Sequence, residues 1–317
     1  MKNRKPALYS TSISSSTQQI AYFDLGKGPV LLFLHGFPDA PFSFQDQVDY
    51  FTEKGYRCIV PFMPGRGDSS LPSNGSSSMI SIAEMLDEWL IATLDEEESI
   101  TICGHDWGSL LAQLLTAISI ERKQTSYQVE KLVLSGVPPL MAFIKNMSFK
   151  QIYRSRYMAY FQLPVINKIK THELDYIREL WERWSPDLDH PNSHCENSVS
   201  LLKQGQSLNN GISYYRHMIN PLFSLRPSGQ LFKQLQLLLP KRQFPCLMIS
   251  GENDGCIGAE TFTNAESCYP HNDTKHIMLA GVGHFVHSEE PEIFNRLTEE
   301  PEIFNRLTED FLNKAKC

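Results

Sequence analysis

The most constraining feature of this chain is the segment Ser99 to Ser109. An apolar run, Ser99-Ile100-Thr101-Ile102-Cys103, passes through Gly104-His105-Asp106-Trp107-Gly108 and straight into a helical stretch. A strand that becomes a helix within five residues must turn back sharply, and glycines two residues to either side of Asp106 leave room for that turn. The central side chain is then lifted above the strand ends, where a nucleophile would sit. Here it is a carboxylate, which attacks an electrophilic sp³ carbon and leaves an alkyl ester, whereas a serine attacks a carbonyl. An isolated Asp after a strand more often caps the next helix. The flanking glycines point to the strained turn instead.

Around this segment, short apolar runs alternate with amphipathic stretches, which is the signature of a mostly parallel sheet covered by helices on both faces. The expected strands are Gln19 to Asp24, Pro29 to Leu34, Tyr56 to Pro61, Ser99 to Gly104, Val129 to Ser135, Cys246 to Gly251 and His276 to Ala280. Helical periodicity is expected over Phe44 to Lys54, Ile80 to Leu94, Trp107 to Ile120, Ala259 to Cys268 and Pro291 to Asn313. The rhythm breaks after Pro138-Pro139 and resumes near Phe244, with helical patches rich in Tyr, Trp and Arg between. This predicts an α/β core over 1–138 and 229–317, with a helical cap over 139–228 inserted into it.

Charge and cysteine usage narrow the function classes. With 36 acidic against 29 basic residues the net charge is −7, so nothing in the overall balance favours nucleic acid or an anionic membrane as the main partner. Seven cysteines, at 58, 103, 195, 246, 256, 268 and 317, show neither metal-knuckle nor paired spacing and read as reduced thiols. His190, His194 and Cys195 lie close together in a Pro/Asn/Ser-rich stretch and read as solvated, so no metal is expected. The N-terminal stretch is basic but lacks an apolar core, and the run around Val30 to Leu34 is too short to span a bilayer, which predicts a cytoplasmic location. Near the C-terminus Glu290 to Glu299 is repeated letter for letter as Glu300 to Glu309. Ten residues advance a helix by about 1000°, so the second apolar set falls about 80° off the first, and one copy suffices to finish the last helix.

His105-Asp106-Trp107-Gly108 resembles the nucleophile elbow of the α/β-hydrolase superfamily, in its epoxide hydrolase and haloalkane dehalogenase branch, and other motifs follow in that family's order. His35-Gly36-Phe37-Pro38 ends a strand and is similar to the oxyanion-hole loop; the resemblance implies that N–H groups of Phe37 and Trp107 hold developing charge, that the Phe37–Pro38 bond is cis, and that His35, Pro38, Trp107 and Phe285 line the substrate site. Pro64-Gly65-Arg66-Gly67-Asp68 looks like the family's glycine-rich loop. Downstream, Gly251-Glu252-Asn253-Asp254 and Gly283-His284-Phe285 complete the order nucleophile, acid, histidine. Asp254 would hold His284, which would activate the water that hydrolyses the ester, with Glu252 and His287 as fallback acid and base.

The elbow alone does not separate epoxide opening from carbon–halogen cleavage. An epoxide leaves as an alkoxide and needs a proton donor, whereas a halide needs only N–H donors. Tyr157-Met-Ala-Tyr160-Phe161 and Tyr214-Tyr215-Arg216 resemble the cap segments of epoxide hydrolases that carry two ring-opening tyrosines, matching Tyr157 and Tyr215; Tyr153, Tyr160, Tyr176 and Tyr214 read as packing residues. Trp181 and Trp184 could act as halide donors but read as core. Dehalogenases of this branch more often carry Asn directly after His-Gly, where Phe37 stands, and fluoroacetate dehalogenases carry Arg where Trp107 stands. The resemblance therefore implies a cofactor-independent hydrolase, a monomer or homodimer, acting on a small apolar epoxide with water. The alternatives are a haloalkane dehalogenase and a non-catalytic α/β-hydrolase-fold binding protein.

Overall fold

The computed structural model describes residues 1, 7–13, 16–96, 98–122, 127–163, 170–189, 192–219 and 229–300. Its centre is an eight-stranded sheet built from β1 (Ala7–Ile13), β2 (Ser16–Gly26), β3 (Val30–Leu34), β4 (Arg57–Pro61), β5 (Glu98–His105), β6 (Tyr127–Ser135), β7 (Cys246–Gly251) and β8 (Lys275–Leu279). The order is β1-β2-β4-β3-β5-β6-β7-β8. The β1–β2 and β2–β4 pairs are antiparallel and the rest parallel. Every residue of β3 and β7 is buried, as strands covered on both faces must be.

Helices α2 (Met79–Thr93), α3 (Trp107–Glu121) and α10 (Gly229–Leu238) pack together on one face. On the other lie α1 (Gln45–Glu53) and α12 (Pro291–Glu299), the latter led in by the single turn α11 (Val286–Glu289). Ser78 caps α2 by accepting the Ser81 N–H, a bond that helix N-termini otherwise lack. Phe294 and Leu297 anchor α12 in the second core, each worth about 2 kcal/mol on burial. Between β6 and β7 the chain forms α4 (Leu140–Lys145), α5 (Phe149–Arg154), α6 (Arg156–Tyr160), α7 (Lys170–Trp184), α8 (Ser193–Leu202) and α9 (Ser207–Ile219) before α10.

The parallel register places the loops that matter on one edge. Leu34 pairs with Gly104, His105 with Ser135, Ser135 with Ile249, and Gly251 with Leu279. The segments that follow β3, β5, β7 and β8 therefore emerge side by side at the carboxyl ends of the strands, where open α/β sheets present their ligand sites.

Three expectations need correction. Strand β1 lies outside the expected set: Tyr9-Ser10-Thr11-Ser12 offers hydroxyl-bearing residues and no alternating apolar set to betray it. The helix expected over Ala259 to Cys268 is two 3₁₀ turns, Ala259–Phe262 and Ala265–Cys268, because Asn264 takes a left-handed conformation (φ 54°) after the poor helix formers Thr261, Phe262 and Thr263. The last described helix ends at Glu299 with the first copy of the repeat. The second copy lies outside the described residues, as does His190.

Candidate active site

Asp106 occupies the turn between β5 and α3 with φ 54° and ψ −117°, a conformation that costs a residue other than glycine about 1–3 kcal/mol. Three glycines make it possible. A Cβ on Gly108 would meet the Leu34 carbonyl, one on Gly104 the Gly108 backbone, and one on Gly36 the Asp106 carboxylate itself. The Phe37–Pro38 bond is cis, and the Phe37 N–H donates to Asp106 Oδ1 at 2.8 Å. Trp107 N–H, at the first position of α3, makes no bond to that carboxylate among the described residues. As one of the unsatisfied donors of a helix start it is available to negative charge that develops nearby.

His284 stands between two carboxylates. Its Nδ1 is 2.8 Å from Asp254 Oδ2, and its Nε2, which has no hydrogen-bond partner, lies 3.6 Å from Asp106 Oδ2. Burial works against a charged ring, but Asp254 and Asp106 outweigh it and hold the imidazole up to about 10. Asp254 is fixed in turn: its Oδ1 accepts the N–H groups of Cys256 and Ile257, both at 2.7 Å. The His284 backbone is pinned by Ser185 Oγ at 3.0 Å and by the Trp184 carbonyl at 3.0 Å. Glu252 is exposed and takes a bond from Gly281 N–H instead, and His287 faces Asp39 and Ser43, away from Asp106.

Beside Asp106 a partly open cavity is walled by Trp107, Leu110, Val137, Leu140, Phe143, Met158, Met218 and Ile257, with Tyr157 and Tyr215 on its cap side. The two tyrosines are fully buried, with ring centroids 5.6 Å apart in an edge-to-face arrangement. Their hydroxyls are loosely held, Tyr215 by the Phe37 carbonyl at 3.4 Å and Tyr157 by Cys256 Sγ at 3.6 Å. Burial, with Cys256 and Asp106 nearby, pushes the Tyr157 phenol well above its usual range, and burial and Asp106 do the same for Tyr215. Both are therefore neutral donors in the resting site. Tyr215 also lies within reach of the Tyr157 hydroxyl and of Trp107 Nε1, which itself makes no well-formed hydrogen bond.

Other expected residues serve elsewhere. His35, Pro38 and Phe285 do not line the cavity. His35 is buried, its Nε2 accepts the Met63 N–H at 3.2 Å and its Nδ1 donates to the Gly36 carbonyl; burial lowers it to about 4, so it is neutral. Pro38 O accepts Trp181 Nε1 at 2.8 Å, and Phe285 stacks on Trp181 at 3.5 Å. Tyr153 and Tyr160 are exposed, Tyr176 is half-buried, and Tyr214 is buried with its hydroxyl on the Pro64 carbonyl. Among the described residues, six cysteines are buried free thiols.

Two features escape sequence reasoning. Asp39, His105 and His287 meet in the core, their donor atoms within 4.8 Å of one another. This is the trio among the described residues whose geometry could take a metal ion. Asp39 nevertheless already accepts the Ala40 N–H and the Ser43 hydroxyl, His287 Nε2 meets the Ser43 hydroxyl at 3.0 Å and His105 Nε2 donates to the His284 carbonyl at 3.0 Å, so each member of the trio is tied to the surrounding core. Cys256 is the second; nothing in its spacing tells that its thiol will meet a tyrosine ninety-nine residues away.

The sequence profile of the family described as alpha/beta hydrolase fold matches residues 29–291. The chain is 27% identical to the AB hydrolase superfamily protein YfhM of Bacillus subtilis over 276 residues, covering 85% of this chain and 88% of that one. It is 24% identical to epoxide hydrolase 2 of Caenorhabditis elegans, covering 84% of this chain and 72% of the relative. Its fold matches a laboratory-evolved variant of potato epoxide hydrolase with a TM-score of 0.68 at 20% identity, covering 98% of this chain and all of that one. Among the described residues no helix is long and apolar enough to cross a membrane.

Proposed function

The chain belongs to the α/β-hydrolase fold family, and from that premise we propose that it opens small apolar epoxides to vicinal diols. The observation that carries the reading is the pair of neutral, weakly held phenols, Tyr157 and Tyr215, facing the same apolar cavity as Asp106. In this reading Asp106 attacks an oxirane carbon, the C–O bond breaks, and the ring oxygen takes a proton from one tyrosine while the other donates a hydrogen bond. A hydroxyalkyl ester of Asp106 results. Forming the ester removes the Asp106 charge that helps hold His284 protonated; the ring passes its proton to the phenolate and becomes a base. It then takes a proton from a water that attacks the ester carbonyl, and the oxyanion rests on the Phe37 and Trp107 N–H groups. Collapse releases the diol, with His284 returning a proton to the departing oxygen and the Asp106 carboxyl giving its own to solvent or His284. The helices over 139–228 act as the cap that carries both tyrosines.

Trp107 Nε1, which makes no well-formed hydrogen bond and lies beside the Tyr215 hydroxyl, favours haloalkane cleavage as a second reading. A halide is usually held by two such donors; of the two cap tryptophans, Trp181 Nε1 is committed to Pro38 O, and Trp184 packs edge-on against Tyr157 and His284 and does not line the cavity. A paired assay decides between them. Wild type and Tyr157→Phe/Tyr215→Phe are offered a styrene-type epoxide and a bromoalkane, and diol and bromide are measured. Diol formation that falls at least 100-fold in the double variant is the expected result. Bromide release that survives the double change would move the protein to the dehalogenases.

A further inference from the structure

A net charge of −7 averages over a strongly segregated sequence. Between Glu130 and Glu173 there is no Asp or Glu, while Lys131, Lys145, Lys150, Arg154, Arg156, Lys168 and Lys170 all fall there. The described part of this stretch contains the apolar surface of the molecule that most needs an explanation. On α5, Phe149 is 93% exposed, Ile152 57% and Tyr153 67%; spaced i, i+3 and i+4, they share one face. Ile144 and Met147, 50% and 42% exposed, precede them.

The helix is held from its other side. Gln151 is fully buried, donating to the Cys256 carbonyl and accepting the Gly258 N–H, both at 2.9 Å, and Arg154 pairs with Glu260 at 2.9 Å. The outward direction of Phe149 is therefore built into the fold. Contiguous apolar surface of this kind in a water-exposed position marks an interaction site. Among the described residues, Lys145, Lys150 and Arg156 have no carboxylate within ion-pair distance, and Glu260, which feels Lys150, is already paired with Arg154, so the rim of the patch carries a surplus of positive charge.

That charge selects the occupant. A second copy docked through the same face would set these cations against themselves, because a two-fold contact apposes identical surfaces. An anionic bilayer instead accepts Phe, Ile and Tyr at its interface and lysines at its phosphates. The same stretch supplies Leu140, Phe143 and Met158, half-buried residues of the cavity wall, so one segment of chain carries both the patch and part of the cavity beside Asp106.

We propose that α4 to α6 form a docking surface for anionic lipid bilayers, setting the cavity wall against a membrane in which apolar small molecules concentrate. Binding is read without turnover, so it stands or falls apart from the epoxide reading. The test is co-sedimentation of the full chain with sucrose-loaded vesicles of phosphatidylcholine alone or with 30% phosphatidylserine. Wild type should bind the anionic vesicles at least tenfold more tightly than the neutral ones, and 0.5 M salt should abolish the difference. Each cation near an anionic surface is worth about fivefold, so Lys145→Glu/Lys150→Glu should weaken binding at least 25-fold. Phe149→Ser/Ile152→Ser should weaken it at least tenfold; both positions are solvent-exposed, so the variants keep the fold, which near-UV circular dichroism checks. Equal sedimentation with both vesicle types, no sedimentation with either, or variants that bind like wild type would each overturn the proposal. A self-association seen by sedimentation equilibrium and lost in Phe149→Ser would overturn it too, by assigning the patch to a second copy.

Discussion

Replacing Asp254 by Asn exchanges one oxygen for an NH₂ group and should cripple the second half of the reaction while sparing the first. Asp254 Oδ1 is held by two amide N–H donors, from Cys256 and Ile257, and only an oxygen can accept them. In the Asp254→Asn variant the side-chain amide must therefore turn its NH₂ toward His284 Nδ1, where Asp254 Oδ2 now sits at 2.8 Å. That makes Nδ1 an acceptor and puts the ring hydrogen on Nε2, the atom that must take the proton of water. The electrostatics move the same way. Holding His284 at about 10 rather than 6.5 corresponds to about 5 kcal/mol. With an effective dielectric of about 20, a charge at 2.8 Å contributes about 6 kcal/mol and one at 3.6 Å about 5. Loss of Asp254 thus returns the ring to its ordinary range or below. The comparable Asp-to-Asn change in a serine protease lowers turnover about 10⁴-fold through the wrong tautomer, a barrier increase of about 5.5 kcal/mol. Asp106 keeps its Phe37 bond, so alkylation continues. Single-turnover mixing followed by intact-protein mass measurement should show an adduct of one substrate mass, accumulating within the wild-type turnover time and decaying at least 10³-fold more slowly. Turnover within tenfold of wild type, or a folded variant that alkylates without accumulating adduct, would refute the reasoning.

Gly36→Ala should cost at least 100-fold in turnover, because its Cβ would occupy the place of the Asp106 carboxylate; steady-state kinetics together with a thermal melt separate this displacement from simple unfolding. Stability should also record the His284 ion pair. Its imidazole titrates at about 10 in the folded protein against 6.5 when free, so its contribution is complete below pH 6.5 and is lost as pH rises through about 10. Urea midpoints of wild type and His284→Gln, compared from pH 6 to 10.5, should converge as pH rises; a gap that widens instead would contradict the assignment of the charge.

Much of this site is legible locally. The glycines around Asp106, the His-Gly-Phe-Pro loop after β3, and the Asp and His after β7 and β8 each declare themselves within a few residues, because a strained turn or a strand end imposes its demands on immediate neighbours. The alternation of apolar runs likewise determines an α/β layer structure, since only a sheet covered on both faces buries them all. Their chain order and the matching register of the parallel strands then allow one site, without stating its distances.

What tertiary structure alone decides is which of several chemically similar residues meet. His35, His105, His284 and His287 look alike in sequence. Register and packing put His284 between two carboxylates, His287 and His105 around Asp39, and His35 on Met63 N–H. Of six cap tyrosines, position and burial send Tyr157 and Tyr215 to the cavity and Tyr214 to a backbone carbonyl. Phe149 is turned to solvent because Gln151 anchors the opposite side of its helix. These outcomes rest on contacts between residues far apart along the chain, whose geometry is set by how the sheet and its helices close together and not by any local propensity.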